Sequence, residues 1–495
     1  MKKNVIILAC LVIALLEGFA GLGIEIYAIR ISATYIGSST SITGIILAMV
    51  LTAIAVGYWY GGLLSKSTKT PSQALLKAGF VLALSAVSHS VASVFQLPLL
   101  NLMSITIESP IVSAMGVGLI YGIGVAFGST SIPLITQFLT LRYEVDGEVS
   151  AGSNAGTMVA VTTIGSVLGS TITPILLLPY IGLMSSIALF VTTLGVSAMI
   201  CTVLACKMRN KADVSGKQNR VFRNASLSIF AVLLTLGFVI TNKLDTGIQT
   251  PVAAWFISSP VFEDRPVVTI SANPNKSISS CWFLDTKENC SWYGYKVAEE
   301  LKKTNDQKLV FLGGAGMAIP SEYAHKNKAA DITVIDIDKA LPAIVEKHFL
   351  QEPIAQNITF IGEDARGYLN RNGDTHYDFM FIDAFQGRFV ASNLYTIEAL
   401  TKFKHSSSRI MANIIGRTSQ DHGYTQTLLN NWLTVFGDSA YVVTESVVDD
   451  IQNIVLCNFS CDDAIPLSSA VYLNKNADIH TDDMPKLDRY YYKSF

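Results

Sequence analysis

The chain has 495 residues, with 36 Lys and Arg against 38 Asp and Glu and a formal net charge of −2 at pH 7. The length allows two or three domains, and the absence of a basic stripe with interleaved aromatic residues argues against a nucleic-acid partner. Residues 1–242 carry 20 charged side chains and residues 243–495 carry the other 54. We therefore expect a membrane domain followed by a soluble, mildly acidic domain.

Seven apolar stretches in the first half are near or above the ~20 residues that a helix needs to cross a bilayer. The predicted spans are 5–29, 41–64, 74–95, 111–140, 155–179, 182–206 and 225–242. The first is not expected to be a cleaved signal peptide, because it has no small-residue cleavage site and more spans follow at once.

Lys and Arg alternate between the loops that join these spans. They precede the first span and follow the second, fourth and sixth, whereas the loops 31–40, 96–110 and 179–182 contain none. The N-terminus is therefore predicted in the cytoplasm, and seven spans place the C-terminal domain outside it. One span more or fewer would reverse that placement. We expect an integral protein of a bacterial inner membrane.

Cysteine usage gives separate evidence on the compartment. Three of the seven cysteines fall in predicted spans and are read as ordinary apolar residues. Cys281 with Cys290 and Cys457 with Cys461 form two close pairs, which predict two small disulfides and hence an oxidising compartment. Four reduced thiols in the cytoplasm are the alternative. Neither pair has the CxxC spacing of a zinc site.

The first span carries three charged residues, Glu17, Glu25 and Arg30. A charge at the bilayer centre costs several kcal/mol, so such residues usually face a bundle interior or a pathway. Arg30 can snorkel outward to the interface. Glu25 is therefore the candidate for a functional intramembrane acid, with a purely stabilising contact to another span as the alternative.

From residue 243 the pattern changes to short strands and helices. PVVTISA and SCWFLD predict a small antiparallel sheet with a turn at 273–277, and 291–303 predicts a helix. The rest alternates strands and helices, which is typical of a parallel, doubly wound Rossmann-like sheet. Its predicted strands are 308–312, 331–336, 357–361, 377–383 and 408–415, with last strands near 440–457 and 468–473. The predicted units are 1–242, 243–305 and 306–495.

The first four strands of the predicted sheet end in glycine or an acid. The run 313–316 is glycine-rich and lets a ligand approach backbone N–H groups at a helix N-terminus. Asp336 stands where an acid typically binds ribose hydroxyls, Asp364 follows the third strand, and Asp383 ends the fourth. Because ligands bind at the C-terminal ends of such strands, we expect these carboxylates around one crevice. Helix N-caps are the alternative for Asp336 and Asp364.

These motifs resemble the spermidine synthase family of polyamine aminopropyltransferases over about residues 262–487, and most of all its membrane-fused members. GGAGMAIP is similar to the family's GGGDGG, VIDIDKALPAIVEKHF to its acid-bearing strand and helix, and GEDARGYL to GDAxxFL. IDAFQGRFVASNLYTIEAL resembles the catalytic-loop segment, and TDDMP resembles TDDxxP. In the membrane half, 18–30 and 162–182 resemble spans of the fused members.

The resemblance implies a methyltransferase-type Rossmann-like fold that transfers an aminopropyl group from decarboxylated S-adenosylmethionine to an amine or polyamine. The donor is a co-substrate, and no permanently bound cofactor or metal is implied. The residues implied to hold the donor are Gly313, Gly314, Gly316, Asp336, Asp364 and Ala365. The residues implied for catalysis and amine binding are Asp383, Tyr293, Tyr295, Tyr395, Asp482 and Asp483.

Three departures from the family pattern keep alternatives open. Gly316 stands where the glycine motif has an Asp, Gln386 follows Asp383 where the loop often has a second acid, and SSCWFLDT replaces a Gln-Leu-Thr-Glu stretch. One alternative is a transferase that uses S-adenosylmethionine itself. Another is a catalytically degenerate polyamine- or nucleoside-binding module coupled to a transporter-like membrane domain. The oligomeric state is also open, with a homo-oligomer as one alternative.

Overall fold

The fold is described from a computed structural model. The described residues are 3–36, 40–106, 110–143, 151–207, 214–241, 247–250, 252–262, 265–272, 278–304, 306–314, 316–386, 389–446, 450–484, 486–487 and 490. The predicted turn 273–277 and the linker charges at 208–213 lie outside them. The chain divides into two compact units, with the boundary near residue 245 along the sequence.

The first unit is helical. Helices α1 to α8 are Lys3–Ile36, Thr40–Lys66, Pro71–Thr106, Pro110–Ser129, Ser131–Tyr143, Ala151–Ile172, Leu178–Lys207 and Val214–Thr241. Six stretches of the described residues are long and apolar enough to cross a membrane: Lys3–Ser32, Ser41–Lys66, Pro71–Gln96, Ile111–Tyr143, Ala151–Leu177 and Tyr180–Lys207. The seventh predicted span corresponds to the shorter apolar stretch Arg223–Val239 of α8. The number of crossings, and hence the side on which the second unit lies, stays a prediction.

Two predicted spans are interrupted helices. Helices α4 and α5 separate at Thr130, three residues before Pro133, whose ring removes a backbone N–H and clashes with the preceding turn. Between α6 and α7, Thr173–Leu177 forms a π-helical turn that contains Pro174. Proline therefore accounts for the separation of α4 from α5 and for the π-helical turn, whereas a further kink lies inside α7 at Gly182, whose φ of 76° is not helical.

Helices α1 and α6 pack backbone to backbone. Gly165 and Gly169 of α6 have the GxxxG spacing, and this sequence pattern predicts close helix contact. A Cβ atom on Gly165 would lie 2.1 Å from the Leu15 carbonyl oxygen, and one on Gly169 would lie 2.2 Å from that of Phe19. On α1, a Cβ atom on Gly18 would lie 2.1 Å from the Thr162 carbonyl oxygen. Any side chain at these positions would push the two helices apart.

The second unit begins with the predicted small antiparallel sheet. Its strands β1 to β6 are Ile248–Gln249, Ala254–Ser258, Val261–Phe262, Arg265–Ser271, Ser280–Phe283 and Glu288–Asn289. Their order is β1-β2-β4-β5-β6, with β3 paired to β4. Helix α9, Trp292–Lys302, follows, and its N-cap Ser291 accepts a hydrogen bond from the Gly294 N–H at 3.2 Å. The predicted Cys281–Cys290 disulfide joins β5 to the residue before this cap.

The large sheet contains strands β7 to β10 and β13 to β16. Strands β7 to β10 are Lys308–Gly313, Asp331–Asp336, Ile358–Gly362 and Tyr377–Asp383, and the hairpin β11–β12 is Phe385–Gln386 with Phe389–Val390. Strands β13 to β16 are Ser407–Gly416, Tyr441–Thr444, Gln452–Cys457 and Ile465–Pro466. Helices α10 to α14 are Ala318–Lys326, Leu341–Ile344, Ala365–Arg371, Ile397–Ser406 and Gly423–Phe436, and α11 continues as a π-helical turn, Val345–Phe349.

The strand order of the large sheet is β16-β14-β15-β13-β10-β7-β8-β9. Strands β13, β10, β7, β8 and β9 are parallel, and β15 runs antiparallel to β13. The predicted fold class, a multi-span helical domain plus a Rossmann-like α/β domain, is confirmed. The predicted strand 468–473 is wrong: Leu467–Ser469 is a 3-10 turn, and the edge strand is Ile465–Pro466, where proline is tolerated because one side is unpaired.

The core of the second unit lies on both faces of this sheet. Along β7, Leu309 and Phe311 point to one cluster, whereas Val310 and Leu312 point to the other. Burial on both faces makes the strands continuous apolar runs, as is usual for parallel sheets. The sheet edge at the C-terminal ends of these strands is thereby held rigidly. The second predicted disulfide, Cys457–Cys461, closes the turn that follows β15.

Candidate active site

A row of polar and glycine residues crosses the C-terminal edge of the parallel sheet. Gly313 of β7 is in register with Asp383 of β10, and Asp336 of β8 is in register with Gly362 of β9. On the other side, Ile382 pairs with Ala412, so the next residue of β13, Asn413, adjoins Asp383. The carboxyl ends of parallel strands are where open α/β sheets bind ligands.

The turn after β7 depends on glycine. Gly313 has φ +81 and Gly314 has φ +125, a range that side chains disfavour. A Cβ atom on Gly313 would lie 2.5 Å from the Asp383 carbonyl oxygen, so the turn also presses against β10. Met317, with φ 51, caps α10 and donates its N–H to the Gly314 carbonyl at 2.8 Å. The turn directs backbone groups of this segment to the sheet edge.

Gly316 has a different role, in close packing. A Cβ atom there would lie 2.5 Å from the Ser280 Cβ and 2.6 Å from the Phe349 ring. Its N–H donates to the Ser280 hydroxyl at 3.3 Å. Strand β5 of the small sheet thus covers this glycine and leaves no space for a carboxylate side chain.

Asp383 lies at the centre of the row. The Asn413 side-chain amide donates to its Oδ1 at 3.1 Å, and the Tyr293 hydroxyl is within hydrogen-bonding range of the carboxylate. The residue keeps some exposed surface, but its carboxyl group is desolvated, which raises the pKa of Asp383 to about 6. The bond from Asn413 and the nearby Tyr293 hydroxyl lower that pKa. A carboxylate of raised basicity that faces a ligand-binding edge is suited to accept a proton.

Asn413 is the residue of this cluster that sequence reasoning missed. It is 1 % exposed, and its side-chain Oδ1 has no hydrogen-bond partner within the described structure. A buried amide oxygen without a donor is unfavourable, and a ligand N–H group next to Asp383 would satisfy it. The available signal was one polar residue, Asn413, within the otherwise apolar run IMANIIG of this strand, at the same edge as the three acids.

The two candidate tyrosines of α9 are separated by the helix. Tyr293 is buried, stacks on Phe381 with ring centroids 6.4 Å apart, and donates its hydroxyl to the Ser279 carbonyl at 3.0 Å. Burial and the charge of Asp383 raise its pKa well above the ordinary value. Tyr295 is 56 % exposed, with the Lys302 ammonium 5.8 Å from its ring centre. Two helical positions differ by about 200°, so the structure brings only Tyr293 to Asp383.

Tyr395 is also close to Asp383 and fully buried. Burial and the charge of Asp383 raise the pKa of its phenol well above the ordinary value. Its hydroxyl donates to the backbone carbonyl of Asn413 at 3.0 Å. The contact holds β13 in place, so Tyr395 positions Asn413.

Asp336 is a second acid of raised basicity at the edge. Desolvation raises its pKa to about 6, and its Oδ1 accepts the Asp338 N–H at 2.9 Å. Asp338 itself is fully buried and accepts the Thr250 hydroxyl at 2.6 Å and the Trp255 indole N–H at 2.7 Å. Asp338, which the sequence did not single out, therefore links the small sheet to the loop that carries Asp336.

Asp364 is the N-cap of α12. Its carboxylate accepts the Gly367 N–H at 2.7 Å and the Asn393 amide at 3.3 Å, and the residue is exposed. Ala365, the first residue of α12, is buried. The structure thus shows the capping role for Asp364, and its position after β9 still lies on the ligand-binding edge.

The acids of TDDMP lie beside α12. Arg366 donates to Asp482 Oδ1 at 2.7 Å and also to the second oxygen, which holds the pKa of Asp482 below its usual range. The Asp482 N–H donates to Glu398 at 3.0 Å, and Asp483 is exposed. Within the described residues, neither acid forms a hydrogen bond or ion pair with Asp383. In the part of the chain that the structure describes, no cluster of three or more His, Cys, Asp or Glu has metal-site geometry.

The second unit is thus a Rossmann-like α/β domain with a small N-terminal β-sheet and two desolvated acids, Asp336 and Asp383, at the C-terminal edge of its parallel strands. No family model matches the chain. It is 26 % identical over 187 residues to a protein of Vibrio vulnificus (strain CMCP6) named polyamine aminopropyltransferase, covering 36 % of this chain and 61 % of that protein. The chain therefore spans less than two thirds of this relative's length.

A second relative, named polyamine aminopropyltransferase, comes from Leptospira interrogans serogroup Icterohaemorrhagiae. It is 22 % identical over 418 residues, covering 79 % of this chain and 74 % of that protein, so the similarity extends into the membrane helices. Among solved structures, a probable spermidine synthase from Corynebacterium glutamicum has 19 % identity and a TM-score of 0.35, over 42 % of this chain and 80 % of that one.

Proposed function

We propose that the second unit transfers an aminopropyl group from decarboxylated S-adenosylmethionine to an amine. In this reaction the amine nitrogen attacks the aminopropyl carbon next to the sulfonium. The C–N bond forms as the C–S bond breaks, and the electron pair of the C–S bond goes to sulfur. The products are an extended amine and neutral methylthioadenosine, and the amine's proton passes to Asp383. The names of the two curated relatives support this assignment.

The observation that carries the proposal is the environment of Asp383. Its desolvated carboxylate, the Tyr293 hydroxyl and the unpartnered Asn413 oxygen form one polar cluster next to the glycine turn. All three can accept or orient the N–H groups of an amine. The acceptor nitrogen would sit between this cluster and a donor that lies across the glycine turn.

The raised basicity of Asp383 makes the proton transfer easier. An amine with pKa near 10 and an ordinary aspartate differ by about 6 units, or roughly 8 kcal/mol. With the pKa of Asp383 at about 6, the difference falls to about 4 units, or roughly 5 kcal/mol. Asp383 therefore orients the amine and accepts its proton as attack proceeds, and positioning supplies the rest of the acceleration.

The donor would lie along the other half of the edge. Gly313 and Gly314 provide backbone approach for the nucleoside, the Asp336 carboxylate binds the ribose hydroxyls, and Asp364 and Ala365 lie at the position for the base. The desolvation of the Asp336 carboxylate supports this role, because two ribose hydroxyls would supply the hydrogen bonds that water does not provide there.

A second candidate donor is S-adenosylmethionine, and the packing of Gly316 favours it. The motif that this chain resembles has an Asp there, which would bind the donor's amino group. Ser280 and Phe349 leave no space for such a side chain here. With that acid missing, a donor that retains its carboxylate is not repelled at this point.

The test is incubation of the purified full chain with each sulfonium donor and a panel of di- and polyamines, followed by mass analysis. The proposal predicts methylthioadenosine and an amine heavier by one aminopropyl group, with loss of both in Asp383→Asn. Asp331→Asn makes the same chemical change at an exposed residue, at the N-terminal end of β8 and so away from the site, and is expected to retain turnover. Undiminished turnover in Asp383→Asn would remove the proposed mechanism.

The second unit is placed outside the cytoplasm in this proposal. The Cys281–Cys290 and Cys457–Cys461 disulfides support an oxidising compartment, and the alternation of charged loops supports a cytoplasmic N-terminus. A C-terminal fusion to a reporter active only outside the cytoplasm tests the placement. Activity of a cytoplasm-specific reporter at the same position would contradict it.

A further inference from the structure

Helix α1 buries a carboxyl group that has no cationic partner. Glu17 lies midway along the first membrane span and is 4 % exposed. Ser129 of α4 donates its hydroxyl to Glu17 Oε1 at 3.3 Å, and Tyr58 of α2 is close enough to feel its charge. In the described part of the chain, no Lys or Arg is paired with Glu17. An acid in this position is a functional-site hypothesis by default.

The buried His89 of α3 packs against the same face of α4 as Glu17 does, one helical turn further along α4. A Cβ atom on Gly128 would lie 3.3 Å from Glu17 Oε1, and one on Gly124 would lie 2.1 Å from the His89 ring. Four residues rise about 6 Å along a helix, which sets the separation of the two groups along α4. Ser85 lies between them: its Oγ is 3.2 Å from the Gly128 Cβ position and donates to the Gly124 carbonyl at 2.7 Å.

The hydrogen bonds of His89 define which ring nitrogen is basic. His89 Nδ1 is 2.9 Å from the Ser85 backbone carbonyl, which can only accept, so we assign the proton of the neutral ring to Nδ1. His89 Nε2 then carries a lone pair, and it has no hydrogen-bond partner within the described residues although the side chain is fully buried. This nitrogen is a base enclosed in the bundle.

The polar track continues toward one end of the bundle. The His89 ring lies 6.5 Å from that of Tyr121, and the Tyr121 and Tyr27 hydroxyls both donate to Gln96 Oε1. Glu17 and Tyr27 are ten residues apart on α1, which corresponds to about 15 Å of helix. The track therefore extends through about half of the ~30 Å hydrocarbon core.

A purely stabilising polar contact has a different form in the same bundle. On α3, Ser90 donates to the Ala231 carbonyl at 3.0 Å, and Thr235 of α8 donates to Ser90 at 2.8 Å. Those hydroxyls are satisfied and involve no titrating group. The Glu17–His89 cluster instead combines an acid, a base without a partner and a hydroxyl between them.

We propose that Glu17 and His89 bind one exchangeable proton and form part of a proton path through the membrane unit. In one state Glu17 is a carboxylic acid and His89 is neutral. In the other, the proton is on His89 Nε2, and the resulting imidazolium is balanced by the Glu17 carboxylate. The Ser85 hydroxyl lies between the two groups along α4 and would relay the proton by turning away from the Gly124 carbonyl to which it donates. This activity is independent of the aminopropyl transfer proposed for the second unit.

The test uses the full chain in liposomes with a pH-sensitive dye inside and a potassium diffusion potential to drive protons. Wild-type vesicles should acidify at least tenfold faster than vesicles with Glu17→Gln, which keeps an acceptor for Ser129. Ser85→Ala should slow the flux, whereas Ser90→Ala, an equally buried serine of α3, should not. If Glu17→Gln is not monodisperse in detergent, the proposal is tested instead by comparing the flux of Ser85→Ala with that of Ser90→Ala.

Two results would overturn the proposal. One is wild-type flux no greater than that of protein-free liposomes. The other is flux that fails to distinguish the variants, either because it is the same in Glu17→Gln as in the wild type or because Ser85→Ala and Ser90→Ala reduce it equally. An infrared pH titration adds a readout without flux: the proposal predicts a protonated-carboxyl band in the wild type that is absent from Glu17→Gln.

Discussion

Replacing Asp383 by Asn should stabilise the second unit at neutral pH while abolishing turnover. Desolvation raises the pKa of this carboxyl from its ordinary value of 3.8 to about 6. The folded chain therefore binds this proton more tightly than the unfolded chain does. Two pKa units correspond to about 3 kcal/mol of penalty for the ionised folded state, which an uncharged amide does not incur.

The sign of the effect gives it a pH dependence. Below about pH 3 the carboxyl is protonated in both states and contributes no penalty. As the pH rises from about 3 through 6, only the unfolded chain ionises freely, so wild-type stability falls relative to Asp383→Asn. The stability difference should grow from near zero at about pH 3 to about 2–3 kcal/mol at about pH 7.5.

Urea unfolding of the full chain in detergent, followed by tryptophan fluorescence, measures this difference. Four of the five tryptophans lie in residues 243–495, so the signal reports mainly on the second unit. Asp364→Asn is the matched control: Asn is an equally good N-cap, and its effect on the free energy of unfolding should be small. A variant at Asp383 that is destabilised at pH 7.5, or a difference that does not change with pH, would refute the reasoning.

Three further predictions concern residues that surround Asp383 and the glycine turn: Tyr293, the Cys281–Cys290 disulfide and Gly316. Tyr293→Phe should reduce turnover at least tenfold, because the Tyr293 hydroxyl lies beside Asp383 and can turn from the Ser279 carbonyl to the charged groups of the reaction, and a hydrogen bond to a charged group is worth about 1.5–3 kcal/mol. Tyr295→Phe should stay within twofold, and equal effects of the two changes would contradict the placement of the two rings. Replacing both Cys281 and Cys290 by Ser should lower the free energy of unfolding by about 2–3 kcal/mol and weaken donor binding measured by calorimetry. The same change in the second disulfide should leave binding unchanged, and weakened binding there would contradict the local role. Gly316→Ala should lower the free energy of unfolding of the second unit by about 1–3 kcal/mol, because the added methyl group overpacks against Ser280 and Phe349. An unchanged urea midpoint would show that strand β5 can move away from this position.

The sheet edge could be predicted from the sequence because its signals are local. Each parallel strand is a short apolar run that ends in Gly or Asp, and the alternation with helices implies that all these ends share one side. Asp336 and Asp383 lie there as expected. Both disulfides were also predictable, because the short separations of the paired cysteines leave few alternatives.

The contacts around Asp383 could not be predicted because they depend on which helix face meets the sheet. Tyr293 and Tyr295 are equivalent in sequence, and only the packing of α9 against Phe381 selects Tyr293. Asn413 comes from a strand more distant along the chain and reaches Asp383 through the register of β13 and β10. Long-range register of this kind leaves no local signal.

The membrane unit shows the same limit. The apolar stretches and the GxxxG contact were local and predictable. The sequence favoured Glu25 as the functional acid, but it carries no information on which groups of other helices surround Glu17. The glycines of α4 that admit Glu17 and His89 have this role only once α1, α3 and α4 are packed together.

The most direct test of the account is to follow the aminopropyl carbons themselves. The full chain is incubated with decarboxylated S-adenosylmethionine labelled with ¹³C in its aminopropyl group and with a diamine acceptor. The account predicts that all transferred label appears in the extended amine, that methylthioadenosine is unlabelled, and that Asp383→Asn yields neither product. Label that stays in the donor after incubation with the diamine would contradict the account. Label that reaches the amine equally in wild type and Asp383→Asn would also contradict it.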